Sequence, residues 1–184
     1  GCRADDEGRD VHGGGEDTRP RKRGAALTGW EQGSHGVPHT GIADEAGGNL
    51  MQRGQVDLVI VGTDRVTRTG DVANKIGTYL KALAAQDNNV PFWVALPSTT
   101  IDWAVANGVT EIPIEERAAS EITHVAGRGE NGVQTRVQIT PDGSPAAHPA
   151  SDVTPAPPLP GLLTARRRRP APDACPPAPF PATS

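Results

Sequence analysis

The sequence predicts an α/β fold, a parallel sheet with flanking helices, followed by a disordered Pro-rich tail. Three observations carry this expectation. Residues 56–61 (VDLVIV) are a short, β-branched and nearly all-apolar run, as suits a strand covered on both faces. Residues 71–86 repeat Val72, Ile76, Tyr79, Leu80 and Leu83 at three- and four-residue spacing, the pattern of an amphipathic helix. Residues 90–96 (VPFWVAL) form a second buried strand. Strand, helix and strand of these lengths make a βαβ unit, with parallel strands and a right-handed crossover.

The other elements are weaker. Residues 1–25 are polar and glycine-rich. Val11-His12 can open a short strand, but Gly13-Gly14-Gly15 offers no side chains to pack. Residues 27–31 suit a short helix. Residues 37–44 read as a strand ending at Asp44. Residues 45–53 suit a helix whose propensity Gly47 and Gly48 lower. Asp71 suits the N-cap of the main helix, and Asn88-Asn89 ends it. Residues 98–102 follow the second strand. Ile112-Pro113-Ile114 is extended, because Pro keeps the residue before it out of the helical region. Residues 135–140 suit a late edge strand before the turn Pro141-Asp142-Gly143. From residue 155, Pro, Ala and an Arg run at 166–169 dominate. Such a segment buries too little apolar surface to offset its ordering entropy. The expected organisation is one domain over 1–154 and a disordered tail over 155–184, its Arg run a solvated patch.

Composition narrows the class. The 184 residues suffice for one domain with a core. Hydrophobic residues are 35% and aromatics 3%, low values because the ends are rich in Gly, Pro and Arg. A net charge of −4 gives no reason to expect a nucleic-acid partner. No apolar stretch approaches membrane-spanning length, and no charged-then-apolar leader opens the sequence. The expectation is a cytoplasmic protein with no membrane partner. Gly1 stands where a start Met would be, which reads as a fragment or processed product. Cys2 and Cys175 lie at the extremes and suggest neither a disulfide framework nor a metal site. His35, His39 and His124 lack metal-ligand spacing and read as surface or packing residues.

The chemistry-bearing residues gather after the first strand. In open α/β sheets, ligands bind at the carboxyl ends of the strands, and residues 56–61 end in Gly62-Thr63-Asp64. A carboxyl at such a strand end is expected to be partly desolvated, and desolvation raises its pKa toward an acid/base range. The alternative is a carboxylate paired with Arg65 or capping a turn. Asn74 and Lys75 are expected in the first helical turn, where free N–H groups and the macrodipole favour an anion. Lys75 would add a point charge and Asn74 an orienting amide, with a phosphorylated small molecule as guest. The alternative is an exposed, solvated helix start. Ser98, Thr99, Thr100 and Asp102 would line the same side, as contacts or caps. Glu115, Glu116 and Arg117 read as a surface charge cluster or a structural ion-pair network.

The stretch VGTDRVTRTGDVANKIGTY, residues 61–79, resembles the signature of the methylthioribose-1-phosphate isomerase family. That family shares a superfamily with the regulatory α, β and δ subunits of translation initiation factor 2B. The resemblance extends upstream through Asp17-Thr18-Arg19-Pro20 and residues 24–31 (GAALTGWE). Downstream it takes in residues 97–102 (PSTTID), 112–117 (IPIEER) and 148–155 (HPASDVTP). It covers roughly residues 4–155, in order and with family-like spacings. It implies a Rossmann-like C-terminal domain and the aldose–ketose conversion of methylthioribose 1-phosphate to methylthioribulose 1-phosphate in methionine salvage. It also implies no cofactor and no metal, a phosphorylated-sugar substrate, and a homodimer in the complete protein. Carried over residue by residue, the proton donor falls on Asp64 and the substrate-binding Asn-Lys pair on Asn74 and Lys75.

The sequence departs from the family at named places. The Gln of the family's RPxxQGxRLT pattern is Arg23, the substrate contact expected there, and the following Arg is Ala26. Cys2 lacks the Thr-x-Cys-Asn context of the family's cysteine. The family's helical domain, with its Arg-Gly-Ala phosphate contacts, has no counterpart in residues 1–184. The expectation is therefore a fragment or eroded copy with impaired activity alone. The alternatives are an initiation-factor-2B-like regulatory subunit and a ribose-1,5-bisphosphate isomerase.

Overall fold

The computed structural model describes residues 8, 10–22, 24–156, 161–164 and 168–170. In chain order the elements begin with β1 (Gly13–Glu16), a π-helical turn (Gly24–Thr28), α1 (Gly29–Ser34), β2 (His39–Ile42) and α2 (Ala46–Gln52). Next come β3 (Val59–Val61), β4 (Arg65–Thr67), β5 (Val72–Lys75), α3 (Thr78–Asp87) and β6 (Phe92–Leu96). A 3₁₀ turn (Ser98–Thr100), β7 (Ile101–Asp102), α4 (Gly108–Glu111), α5 (Ser120–Thr123), β8 (His124–Arg128) and β9 (Gln134–Gln138) follow. The last are β10 (Ser151–Thr154), β11 (Gly161–Thr164) and β12 (Arg168–Pro170). The chain divides into two compact units, residues 1–49 with 116–148 and residues 50–115 with 149–184.

In the first unit, β1 pairs in parallel with β2, and β8 pairs antiparallel with β9. The Asp44 carboxylate accepts the N–H groups of Thr18 (2.9 Å) and Arg19. It thereby holds a turn in which Thr18, a β-branched residue, has φ of +59°, a conformation that needs such over-determination. A charge cluster forms around Glu121, which accepts from Arg21 and lies 3.6 Å from Arg117 Nε and 3.4 Å from Nδ1 of buried His148. Desolvation pushes the Glu121 carboxyl up, but Arg21, Arg117 and His148 together outweigh it and hold it below its usual range. His148 N–H donates to Glu116 Oε1 (3.1 Å). Glu116 and Arg117 are thus parts of a structural polar network.

The second unit carries two sheets, ordered β10-β5-β4-β7 and β12-β11-β6-β3. Strands β3 and β6 are parallel neighbours, with Val59 opposite Phe92 and Val61 opposite Val94. Helix α3 lies between them in sequence, so the predicted βαβ connection is present. Its parts differ from expectation. Strand β3 keeps only residues 59–61 and lies at a sheet edge, with Ile60 56% exposed, so it is not covered on both faces. The main helix begins at Thr78 rather than Asp71, because residues 72–75 are taken into a strand. The side of α3 that is buried carries Thr78, Ala82 and Ala85. Tyr79, Leu80 and Leu83, expected to face the core, are exposed. Small residues let the helix backbone approach closely, and the bulky ones are turned away. The core gathers Phe92, Val94 and Leu96 of β6 with Val66, Val72, Met51, Ala82 and Ala85.

Within the stretch expected to be a disordered tail, residues 161–164 pair in parallel with β6 and residues 168–170 pair with 161–163. Gly-Leu-Leu-Thr at 161–164 is an apolar run bracketed by Pro and Arg. The rest of that expectation, from 157 onward, lies outside the described residues. No helix among the described residues is long and apolar enough to cross a membrane.

Two outcomes follow from this packing. Phe92 is 1% exposed at the centre of the core, so Phe92→Ala should cost about 3–5 kcal/mol in chemical denaturation. A loss below about 1 kcal/mol would mean that β6 is not the centre of the packing. A carboxyl held below its usual range stabilises the fold above that range, and the contribution disappears as pH falls through the folded value. Glu121→Gln should therefore destabilise near neutral pH, and its gap from wild type should close below the carboxylate range. A gap independent of pH would remove the charge as its source.

Candidate functional site

Strand β5 organises the site. Its residues Val72, Ala73, Asn74 and Lys75 pair antiparallel with Thr154, Val153, Asp152 and Ser151 of β10. On its other edge, Ala73 and Val72 pair antiparallel with Arg65 and Val66 of β4. The hairpin between β4 and β5 closes on Gly70, whose φ of +95° only Gly adopts freely. Asn74 and Lys75 are thus half-buried strand residues, not members of a first helical turn. Val72 fits both a strand and a helix pattern, and the two ladders decide between them. Asp71 does not cap the helix. Its carboxylate accepts from Gly108 N–H (2.8 Å) and Ala156 N–H (3.1 Å), fastening α4 and the end of β10 to the hairpin.

Asp64 sits in the loop leaving β3. Its N–H donates to the Ala73 carbonyl (2.9 Å). Thr63 shapes the same loop: its hydroxyl donates to Ala73 O (2.8 Å) and accepts from Arg65 N–H (3.2 Å). The Asp64 carboxylate is exposed rather than partly desolvated, and it accepts from the Ser151 hydroxyl at 3.4 Å. The expected alternative partner, Arg65, is instead 3.6 Å from Asp102. Asp102 also accepts from Ala104 N–H (3.0 Å), so its role is to hold this turn. Ser151 is the hub: it touches Asp64 and stands opposite Lys75 in the ladder. The structure therefore brings Asp64, Asn74 and Lys75 to one end of one sheet.

Asn74 is oriented from below. Its Nδ2 donates to Thr78 Oγ1 (3.0 Å), and that hydroxyl donates to the Lys75 carbonyl (2.8 Å). Thr78 is 4% exposed, so this arrangement is protected from water. The start of α3 does not stand open to an anion. Asp152 already occupies it, accepting from Gly77 N–H (2.7 Å) and Tyr79 N–H (3.2 Å). Burial pushes the Asp152 carboxyl above its ordinary range, against those two N–H groups and Lys81. Burial lowers Lys81 in turn, while Asp152 raises it.

Ser151 and Asp152 carry no catalytic spacing, and sequence reasoning missed them as parts of the site. Their signal is positional: two polar residues lead the Val153-Thr154 strand within the family-like segment 148–155. Arg23 lies outside the described residues, as do Cys2 and Cys175. His35 and His39 bind the carbonyls of Glu31 and Val37, and His124 the Thr123 hydroxyl.

Residues 2–165 match the model of the initiation factor 2 subunit family. The chain is 66% identical over 165 residues to the methylthioribose-1-phosphate isomerase of Gluconobacter oxydans, covering 90% of this chain and 45% of that protein. It is 64% identical over 163 residues to the enzyme of the same name from Acidiphilium cryptum, covering 89% and 44%. Among solved structures it is similar to 5-methylthioribose 1-phosphate isomerase from Pyrococcus horikoshii, with TM-score 0.83, 38% identity, and coverage of 92% and 45%. It is also similar to translation initiation factor eIF-2B, subunit delta, from A. fulgidus, with TM-score 0.76, 37% identity, and coverage of 88% and 44%. The chain spans a little under half the length of the curated relatives it matches. On the family match and these identities together, the chain belongs to the initiation factor 2 subunit family.

Proposed function

We propose that the intact protein carrying this chain is a methylthioribose-1-phosphate isomerase. The observation that carries the proposal is that Ser151 joins Asp64, by a hydrogen bond, to Lys75, its ladder partner, with Asn74 next in the same strand, in a chain 66% identical to a protein of that name. A homodimer in the cytoplasm, with no nucleic-acid or membrane partner and no cofactor, belongs to the same proposal. Arg23 is a weaker substrate contact, replacing the family's Gln.

The chemistry suits these residues. C1 of the substrate carries a phosphate ester, so the ring cannot open as a free hemiacetal does. Breaking the bond from C1 to the ring oxygen needs a proton delivered to that oxygen, and Asp64 is the donor. The hydrogen on C2 then moves to C1 with its electron pair, the C2 hydroxyl becomes a carbonyl as its proton passes to the Asp64 carboxylate, and C2 is oxidised as C1 is reduced. The Lys75 ammonium and the Asn74 amide hold the phosphorylated sugar through the reaction. An initiation-factor-type scaffold has no use for an acid at this strand end.

Asp64→Asn keeps the shape of the side chain and removes its proton. In the intact protein it should lower kcat by about 10²-fold or more while calorimetry still shows sugar-phosphate binding. Lys75→Ala should raise KM by about tenfold with a smaller change in kcat, because it removes ground-state binding. Near-normal kcat in Asp64→Asn would overturn the assignment of the proton donor. Turnover of ribose 1,5-bisphosphate in preference to methylthioribose 1-phosphate would move the protein to the other sugar-phosphate isomerase.

A further inference from the structure

We infer that Asp152 is a positioning residue for the substrate-holding pair, fixing Asn74 and Lys75 by fastening the strand that carries them to the start of α3. The inference rests on the isomerase proposal and deepens it.

Three contacts support it. Asp152 is the ladder partner of Asn74, and its neighbour Ser151 is the partner of Lys75. The chain then turns sharply: Ile76 N–H donates to the Ala150 carbonyl (3.0 Å), and Gly77 takes φ of +99° at the helix start. The Asp152 carboxylate closes that turn by accepting from Gly77 N–H at 2.7 Å and Tyr79 N–H at 3.2 Å. No side chain of α3 itself caps this end, so a residue 75 positions away supplies the cap. The turn between strand and helix carries the Lys75 carbonyl and the Thr78 hydroxyl that together orient Asn74.

Asp152 has the chemistry for this role. One carboxylate satisfies two N–H groups that the helix cannot satisfy, and its charge sits favourably at the positive end of the helix. An alanine there leaves both donors without an acceptor and loosens the turn from Asn74 to Thr78. The amide of asparagine keeps one acceptor oxygen but turns its NH₂ group toward the second N–H. The defect should therefore be graded, alanine worse than asparagine. It should fall on substrate holding, because Asp64 hangs from Thr63, Ala73 and Ser151 and not from Asp152.

The test uses the intact protein and methylthioribose 1-phosphate. Asp152→Ala should raise KM by about tenfold, within the range known for small displacements of positioning groups, with kcat changed less than about threefold. Asp152→Asn should raise KM less, and Asp152→Glu, which keeps both acceptor oxygens, should come closest to wild type. Amide exchange at Gly77 and Tyr79 should speed up in the same order. If Asp152→Ala does not fold, Asp152→Asn decides alone, with a KM rise at unchanged kcat expected. Unchanged KM despite faster exchange would make Asp152 merely structural, and a fall in kcat larger than the rise in KM would place it in the chemistry; either overturns the inference. A wild-type protein that neither binds nor turns over the sugar phosphate would sink the isomerase proposal and this inference with it. It is told apart from the other failures because it precedes any difference between variants.

Discussion

Strand β5 is hydrogen-bonded along both edges, and the candidate site depends on that double pairing. One edge carries β4 and, through the loop before it, Asp64. The other carries β10 and, through Ser151, a second hold on Asp64. A strand paired on both sides has its register fixed to the residue, since a slip of one would exchange the faces taken by Val72 and Ala73, each of which is packed for its own side chain. Val72 is fully buried and Ala73 nearly so, which leaves no tolerance for such a slip. Asn74 and Lys75 inherit their places from this register. Their precision is backbone precision, and it comes from two ladders and not from side-chain contacts alone.

The start of α3 shows how one charge is used twice. Desolvation raises the Asp152 carboxyl, and only the N–H groups and Lys81 oppose that rise. A half-buried carboxylate is costly unless hydrogen-bonded. Here the helix end supplies two donors that are themselves without intrahelical partners. Each side settles the other's deficit. The same contact removes the helix start from the set of places where a phosphate can bind, because an anion already sits there. Under the proposed function, the positive charge for a phosphate would then come from side chains such as Lys75.

Much of this was legible in the sequence. The paired parallel strands and the intervening helix follow from apolar runs and spacing, and the family resemblance singles out Asp64, Asn74 and Lys75, which the fold sets at one end of one sheet. The hairpin was not legible. Val72 sits four residues before Ile76 and so counts toward a helical face, yet in Val-Ala-Asn-Lys it also begins a strand. Periodicity over so few residues cannot separate the two; pairing with Ser151–Thr154, far away in sequence, separates them. The helix face was misread for a related reason. Leu80 and Leu83 have the right spacing, but Ala82 and Ala85 make the close contact, and hydrophobicity alone ranks leucine above alanine. Arg65 illustrates a third gap: adjacency to Asp64 suggested an ion pair, while the chain direction sends its side chain to Asp102.

Fold likeness by itself does not separate an enzyme from a regulatory subunit in this family. The Pyrococcus isomerase and the A. fulgidus initiation-factor subunit are 38% and 37% identical to this chain, with TM-scores of 0.83 and 0.76. Either would justify the same backbone. Function is carried by the groups placed on that backbone, and the proposed function rests on an exposed carboxylate, Asp64, held by a loop on one side and a strand hydroxyl on the other. Asp64 has two backbone-directed anchors beneath it, Thr63 and Ala73, and among the described residues Ser151 donates to its carboxylate. A carboxylate kept for structure is expected to be saturated with donors, as Asp44, Asp71 and Asp152 are. Asp64 differs from all three in having its position fixed while its oxygens face outward.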